Sequence, residues 1–107
     1  MEVLITNIDL YVSKAAGARV DRILKQHEAL GGLFFRIDDE IYPEEWWLSV
    51  MREDFEELIR QLAEAGVTGE IELRGDEPDD MVKYVLKDGK AKKMVAVIKW
   101  VEEPCQT

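Results

Sequence analysis

A chain of 107 residues, 47% of them apolar, is the size of one domain and carries enough apolar material for one core without a metal or disulfide staple. Its net charge of −9 argues against direct binding of nucleic acid, because a phosphate backbone demands Lys and Arg. Cys105 is the only cysteine, which excludes an internal bridge, and no run reaches the ~20 apolar residues of a membrane span.

The start Met1-Glu2-Val3 is acidic and has no long apolar run behind it, unlike a secretory signal, so a reducing, cytoplasmic setting is expected. Residues 1–103 are expected to form a single α+β domain, with 104–107 a frayed tail. The charge is unevenly placed. Residues 38–80 hold 16 of the 23 acids and three of the 14 basic residues, whereas both flanks are slightly basic.

From Val3 to Val12 the chain reads as a strand. Strict alternation puts Leu4, Ile8, Leu10 and Val12 on one face and Val3, Ile5, Asp9 and Tyr11 on the other. The second face turns polar midway, which suits a sheet covered on one side. Ser13 is placed to cap a helix whose stripe is Ala16, Val20, Ile23, Leu24 and His27, with Gly31-Gly32 as its stop. Gly17 in its first turn signals a close contact or a late start. Leu33 to Ile37 is a second, strongly apolar strand; Asp38-Asp39-Glu40 is a turn candidate, and a turn over 38–45 would join this strand to one that follows.

The next stretch has two readings. Leu48, Met51, Phe55, Leu58, Leu62 and Ala65 keep a three-four spacing that fits one helix over 44–65 opened by Pro43. The favoured alternative is a strand over 46–51, then a shorter helix capped by Asp54 with Glu57 closing a capping box. Gly66 ends the helix in both. Val67 to Arg74 is a strand with Glu70 and Glu72 facing outward, and residues 75–80 are a loop. Asp88-Gly89 joins strands 81–87 and 92–101 as a hairpin.

The order β-α-β-β-α-β plus a C-terminal hairpin implies a two-layer α+β sandwich. A mainly antiparallel sheet would carry two helices on one face, in the ferredoxin-like split βαβ arrangement. That architecture hosts many unrelated functions and names none of them.

Chemistry-bearing motifs are sparse. One His and one Cys do not build a zinc site, and neither acidic loop has the calcium-loop spacing, so no cofactor or metal is expected. Cys105 has no base fixed beside it, and His27 sits on a helix's apolar stripe as a packing residue. Catalysis is therefore not the expectation.

The expectation is instead a small acidic protein-binding module (an inhibitor, immunity-type protein or regulatory subunit) that engages a basic partner and is a monomer or weak homodimer. The acids on regular elements are explained as wet faces. The remaining acids lie beside aromatics: Asp38, Asp39, Glu40, Glu44 and Glu45 with Tyr42, Trp46 and Trp47. On a strand one of the two tryptophans points inward and the other is free to anchor an interface. Asp76, Glu77, Asp79 and Asp80 form a secondary acidic loop. The alternative is a small-molecule-binding or enzymatic domain with a pocket between sheet and helices. The lysines of the final hairpin protect exposed strands, or meet the acidic middle of another copy.

Overall fold

The computed structural model describes residues 2–26, 32–77, 80–97 and 99–105. Its elements are β1 (Glu2–Tyr11), a 3-10 turn (Lys14–Ala16), α1 (Gly17–Gln26), β2 (Phe34–Ile37), β3 (Glu40–Pro43), β4 (Trp47–Ser49), α2 (Arg52–Glu64), β5 (Thr68–Arg74), β6 (Met81–Lys87) and β7 (Lys90–Val95). The sheet order is β2-β3-β1-β5-β6-β7, with β4 also on β1, and every pairing is antiparallel. Both helices pack on one face of the sheet, which makes a two-layer α+β sandwich.

One proline divides the strand beside β1. Tyr11 opposes Glu40, Leu4 opposes Trp47 and Val3 opposes Leu48, so β3 and β4 keep one register along β1. The Glu44 N–H donates to the Leu33 carbonyl, so antiparallel alternation turns the Pro43 nitrogen toward β1. Proline has no N–H to give there, and the ladder opens between β3 and β4. With β3 and β4 taken as one strand, the expected split βαβ order β2-β3-β1-β5 is present, extended by the β6–β7 hairpin.

The β1 side chains do not alternate strictly. Its pairing with β5 shifts between Ile5 and Asn7, which leaves Thr6 as a bulge. An extra residue flips the side-chain phase. Val3 and Ile5 before it, and Leu10 and Val12 after it, are all buried in the same core. The Thr6 hydroxyl donates to the Glu72 carboxylate at 2.9 Å and marks the bulge on the surface. Just beyond it, β5 approaches β1 so closely that a Cβ on Gly69 would lie 1.9 Å from the Asp9 carbonyl oxygen.

The expected helical stripes are buried: Val20, Ile23 and Leu24 on α1, and Phe55, Leu58, Ile59 and Leu62 on α2. Phe55 joins the layers, with ring centroids 6.4 Å from Phe34 and 5.6 Å from Tyr84. Arg36 ties β2 to α1. Its Nε and Nη2 each donate to the Asp21 carboxylate at 2.8 Å, and its guanidinium lies against Gly17, where α1 begins late. Gly66, at φ +95°, ends α2 as expected.

Several sequence expectations need correction. Residues 38–45 are not one turn: Asp38, at φ +54°, and Asp39 make a two-residue turn, and Glu40–Pro43 returns as β3. The segment after them is split into strand and helix, but Asp54 is not the cap. The cap position is Met51, without a side-chain hydrogen bond, and Asp54 lies with Glu53 in the first turn, at the positive end of the helix dipole. Ser13 likewise makes no side-chain cap bond. The last strand stops at Val95 instead of Val101, because its partner β6 begins at Met81 and offers no ladder beyond the Ala96-to-Met81 hydrogen bond. His27, Gly31 and Asp79 lie outside the described residues.

Candidate functional surface

The helices cover one face of the sheet, and the other face carries the side chains that regular packing does not explain. Antiparallel pairing places Phe35 opposite Tyr42 and Tyr11 opposite Glu40 on this open face, with Asp9 and Ile37 beside them. The Phe35 and Tyr42 rings pack at 5.8 Å between centroids, tilted by 31°. Ile37 is 55% exposed, and Tyr11 and Tyr42 are exposed. The result is an apolar, aromatic platform at the β1–β2–β3 end of the sheet.

Acids surround that platform. Asp38 and Asp39 form the hairpin tip, and Asp9 and Glu40 stand next to the two tyrosines. Among the described residues none of these four carboxylates forms an ion pair. The Tyr42 hydroxyl donates to Glu40, and Arg36, paired with Asp21, donates to the Asp38 backbone carbonyl at 2.6 Å. The neighbouring carboxylates weaken both phenols as acids. Tyr11 is raised by hydrogen bonding to Asp9, then by the Asp9 charge, burial, Glu40 and Asp39. Tyr42 is raised by its bond to Glu40, then by burial and by the charges of Glu40, Asp39 and Asp38. Raised in this way, the phenols stay protonated at neutral pH.

The structure does not bring the candidate residues into one cluster. Trp46 and Trp47 are both exposed, at 54% and 63%, so neither ring points inward. Leu48 takes the buried position, and Trp46 stands in the bend before β4, with its carbonyl accepting the Ile5 N–H at 2.7 Å. Seven residues at ~3.4 Å each separate Glu40 from Trp47, about 24 Å along the strand. Glu44 and Glu45 lie in the bend between. Asp38, Asp39, Glu40 and Tyr42 thus share one end of the sheet, while the tryptophans lie at the other.

The secondary acidic loop is near the tryptophan end, because Arg74, just before it, opposes Leu4, which opposes Trp47. Asp76 and Asp80 line a cleft of about 450 Å³ with Arg52, Tyr84 and Lys93. Beside that cleft, the Tyr84 hydroxyl donates to Glu56 at 2.9 Å, and Lys93 Nζ is 3.2 Å from the same carboxylate. Burial, then the Glu56 bond and charge, push the Tyr84 phenol well above its usual range. Burial pushes Glu56 up, but the Tyr84 and Lys93 bonds and the Lys93 and Arg52 charges outweigh it and hold the carboxyl below its usual range.

Sequence reasoning missed Tyr11, Asp9, Phe35 and Ile37 as members of the surface. The signal was there in the polar turn of the first strand and in the alternation of Phe34-Phe35-Arg36-Ile37. Among the described residues no group of three His, Cys, Asp or Glu side chains is placed to hold a metal, and no helix is long and apolar enough to cross a membrane. Comparison with protein-family models, with curated proteins and with solved structures finds no match to this chain.

Proposed function

We propose that this protein is a binding module that takes a basic protein partner on the open sheet face, at the end formed by β1, β2 and β3. The observation that carries the reading is the coincidence of Phe35, Tyr42, Tyr11 and Ile37 with four carboxylates that make no ion pair among the described residues. An aromatic platform offers rigid contact area to an apolar anchor and a π face to Lys or Arg. The surrounding negative field speeds encounter and rejects acidic competitors. Trp46 and Trp47, with Glu44 and Glu45, extend the contact for a partner long enough to follow β3 into β4.

The test is capture on immobilised full-length protein at ~50 mM salt and again at ~500 mM, where the Debye length shrinks to a few Å. A stoichiometric basic protein is expected at low salt, with its recovery reduced at high salt. Tyr42→Ala and Asp39→Lys should each lose it, and Trp46→Ala and Trp47→Ala should weaken it less. Capture of no basic partner, or equal capture by Tyr42→Ala and Asp39→Lys, rejects the reading. The 450 Å³ cleft favours a second reading as a small-molecule site, since Arg52, Asp76, Asp80, Tyr84 and Lys93 converge there. A ligand-induced rise in Tm that Arg52→Ala abolishes would identify it.

A further inference from the structure

Two pieces of this chain that have no strand partner among the described residues have matching chemistry. One is the outer edge of β2, the last strand of the sheet order. Because Leu33, Phe35 and Ile37 bond toward β3, the backbone N–H and C=O groups of Phe34 and Arg36 point outward. Alongside that edge runs a groove of about 470 Å³ between β2 and α1, lined among the described residues by Asp21, Leu24, Lys25, Phe34, Phe35 and Arg36. The other piece is the chain after β7. Val97, Trp100 and Val101 are 76%, 97% and 82% exposed and belong to no strand. The molecule has a long axis of 61 Å and a radius of gyration of 16.0 Å. A compact chain of this length has a radius near 13 Å.

We propose that the 97–103 arm of one copy adds to the β2 edge of a second copy as an antiparallel strand, with Trp100 entering the groove against Leu24 and Phe34. Charge fixes the direction. Side chains alternate across a strand, so Trp100 and Glu102 share the helix side, and Lys99 shares the open side with Val101. Run antiparallel to β2, the arm brings Lys99 to the hairpin tip at Asp38 and Asp39, and Glu102 to Lys25 of α1. The parallel direction would carry Lys99 away from Asp38 and Asp39 and Glu102 toward them.

The arm does not reach its own β2. Five strand spacings of ~4.8 Å separate β7 from β2, about 24 Å, whereas residues 96–101 span about 20 Å when extended. Symmetric pairing of two β7 edges sets Lys90, Lys92 and Lys93 against their own copies, which like-charge repulsion opposes. The contact is therefore heterologous, each copy being both donor and acceptor. It goes beyond the face-binding reading and needs no foreign partner.

The test is sedimentation equilibrium of purified full-length protein at low salt, with a reductant to keep exposed Cys105 from forming disulfides. The mass of the wild type should rise with concentration. Trp100→Asp blocks the donor and Ile37→Lys blocks the acceptor. Both sites are more than half exposed, so each variant should keep the wild-type far-UV spectrum and remain monomeric. An equimolar mixture of the two should form a 1:1 dimer and stop there, because one intact arm meets one intact edge. Lys99→Glu should weaken association about tenfold, and adding Asp39→Lys in the same chain should restore it. A wild type monomeric up to about 1 mM, a mixture that stays monomeric, or a Trp100→Asp variant that associates normally overturns the proposal. These measurements use the purified chain alone, so their failure leaves capture of a basic partner standing, and failed capture leaves them standing.

Discussion

Replacing Gly69 by alanine tests the close approach of β5 to β1 that shapes the open face. The backbone there has φ +118°, and the new Cβ would lie 1.9 Å from the Asp9 carbonyl oxygen and 3.2 Å from the Leu10 Cα. A normal carbon–oxygen contact is about 3.3 Å, so the two strands must part by more than 1 Å. Both colliding groups are backbone, and no side-chain rotation relieves them. The backbone conformation alone costs an alanine about 1–3 kcal/mol. Loss of the two nearest ladder bonds adds about 0.5–1.5 kcal/mol each. The sum is about 2–6 kcal/mol, a large part of the 5–15 kcal/mol that holds a typical domain folded.

Gly66→Ala is the control. Gly66 also has positive φ, at +95°, but nothing lies within 4 Å of a Cβ there, so only the backbone term of about 1–2 kcal/mol applies. Urea unfolding followed by circular dichroism at pH 7 gives both values. Gly69→Ala should be the weaker by about 1–3 kcal/mol, the worth of the two ladder bonds, and the resonances of Asp9 and Tyr11 should shift most. Equal losses for the two variants would refute the reasoning, since they would mean that β1 and β5 do not touch at this point.

The remaining expectations concern the core and its ion pairs. Leu48→Ala should cost about 2–5 kcal/mol in urea unfolding, and Trp47→Ala next to it no more than about 0.5, because Leu48 is buried and Trp47 is not. Glu56 and Asp21 have carboxyls held below their usual ranges. Burial raises Glu56, but Tyr84 and Lys93 outweigh it, while hydrogen bonding to Arg36 lowers Asp21. Stability from these groups is present above their unfolded pKa values, 4.5 and 3.8, and is lost as pH falls through the lower folded ones. Unfolding midpoints should drop over that window, with a shallower slope in Glu56→Gln. Tyr84 has the opposite sign. Its phenol is raised above 10.0 by burial and Glu56, so stability is present below pH 10 and declines as pH rises further. Tyr84→Phe should cost about 1–2 kcal/mol at pH 7 and remove that alkaline decline.

Much of the layer structure was legible along the chain. Helical spacing marked Val20, Ile23 and Leu24, and the Phe55-to-Leu62 stripe, as buried faces, because a 3.6-residue period points the same side chains inward whatever lies opposite. Asp88-Gly89 announced the β6–β7 hairpin, and both residues do take positive φ. The candidate surface was legible in fragments. Tyr42 and the hairpin acids were singled out, but the tryptophans were grouped with them through nearness in sequence, and a strand carries such neighbours away from each other at ~3.4 Å per residue.

The sequence by itself determined the α+β class, the wet and dry sides of both helices and the concentration of acid in the middle of the chain. These follow from local periodicity and composition. Tertiary structure decided the phase change of β1 at Thr6, the break at Pro43 and the end of β7 at Val95. It also brought Asp9 and Tyr11 beside Phe35 and Tyr42, residues about 30 positions apart. Each of these depends on where a neighbouring strand lies: a bulge is defined by its partner's register, a proline breaks only the ladder its nitrogen faces, and a strand ends where its partner does.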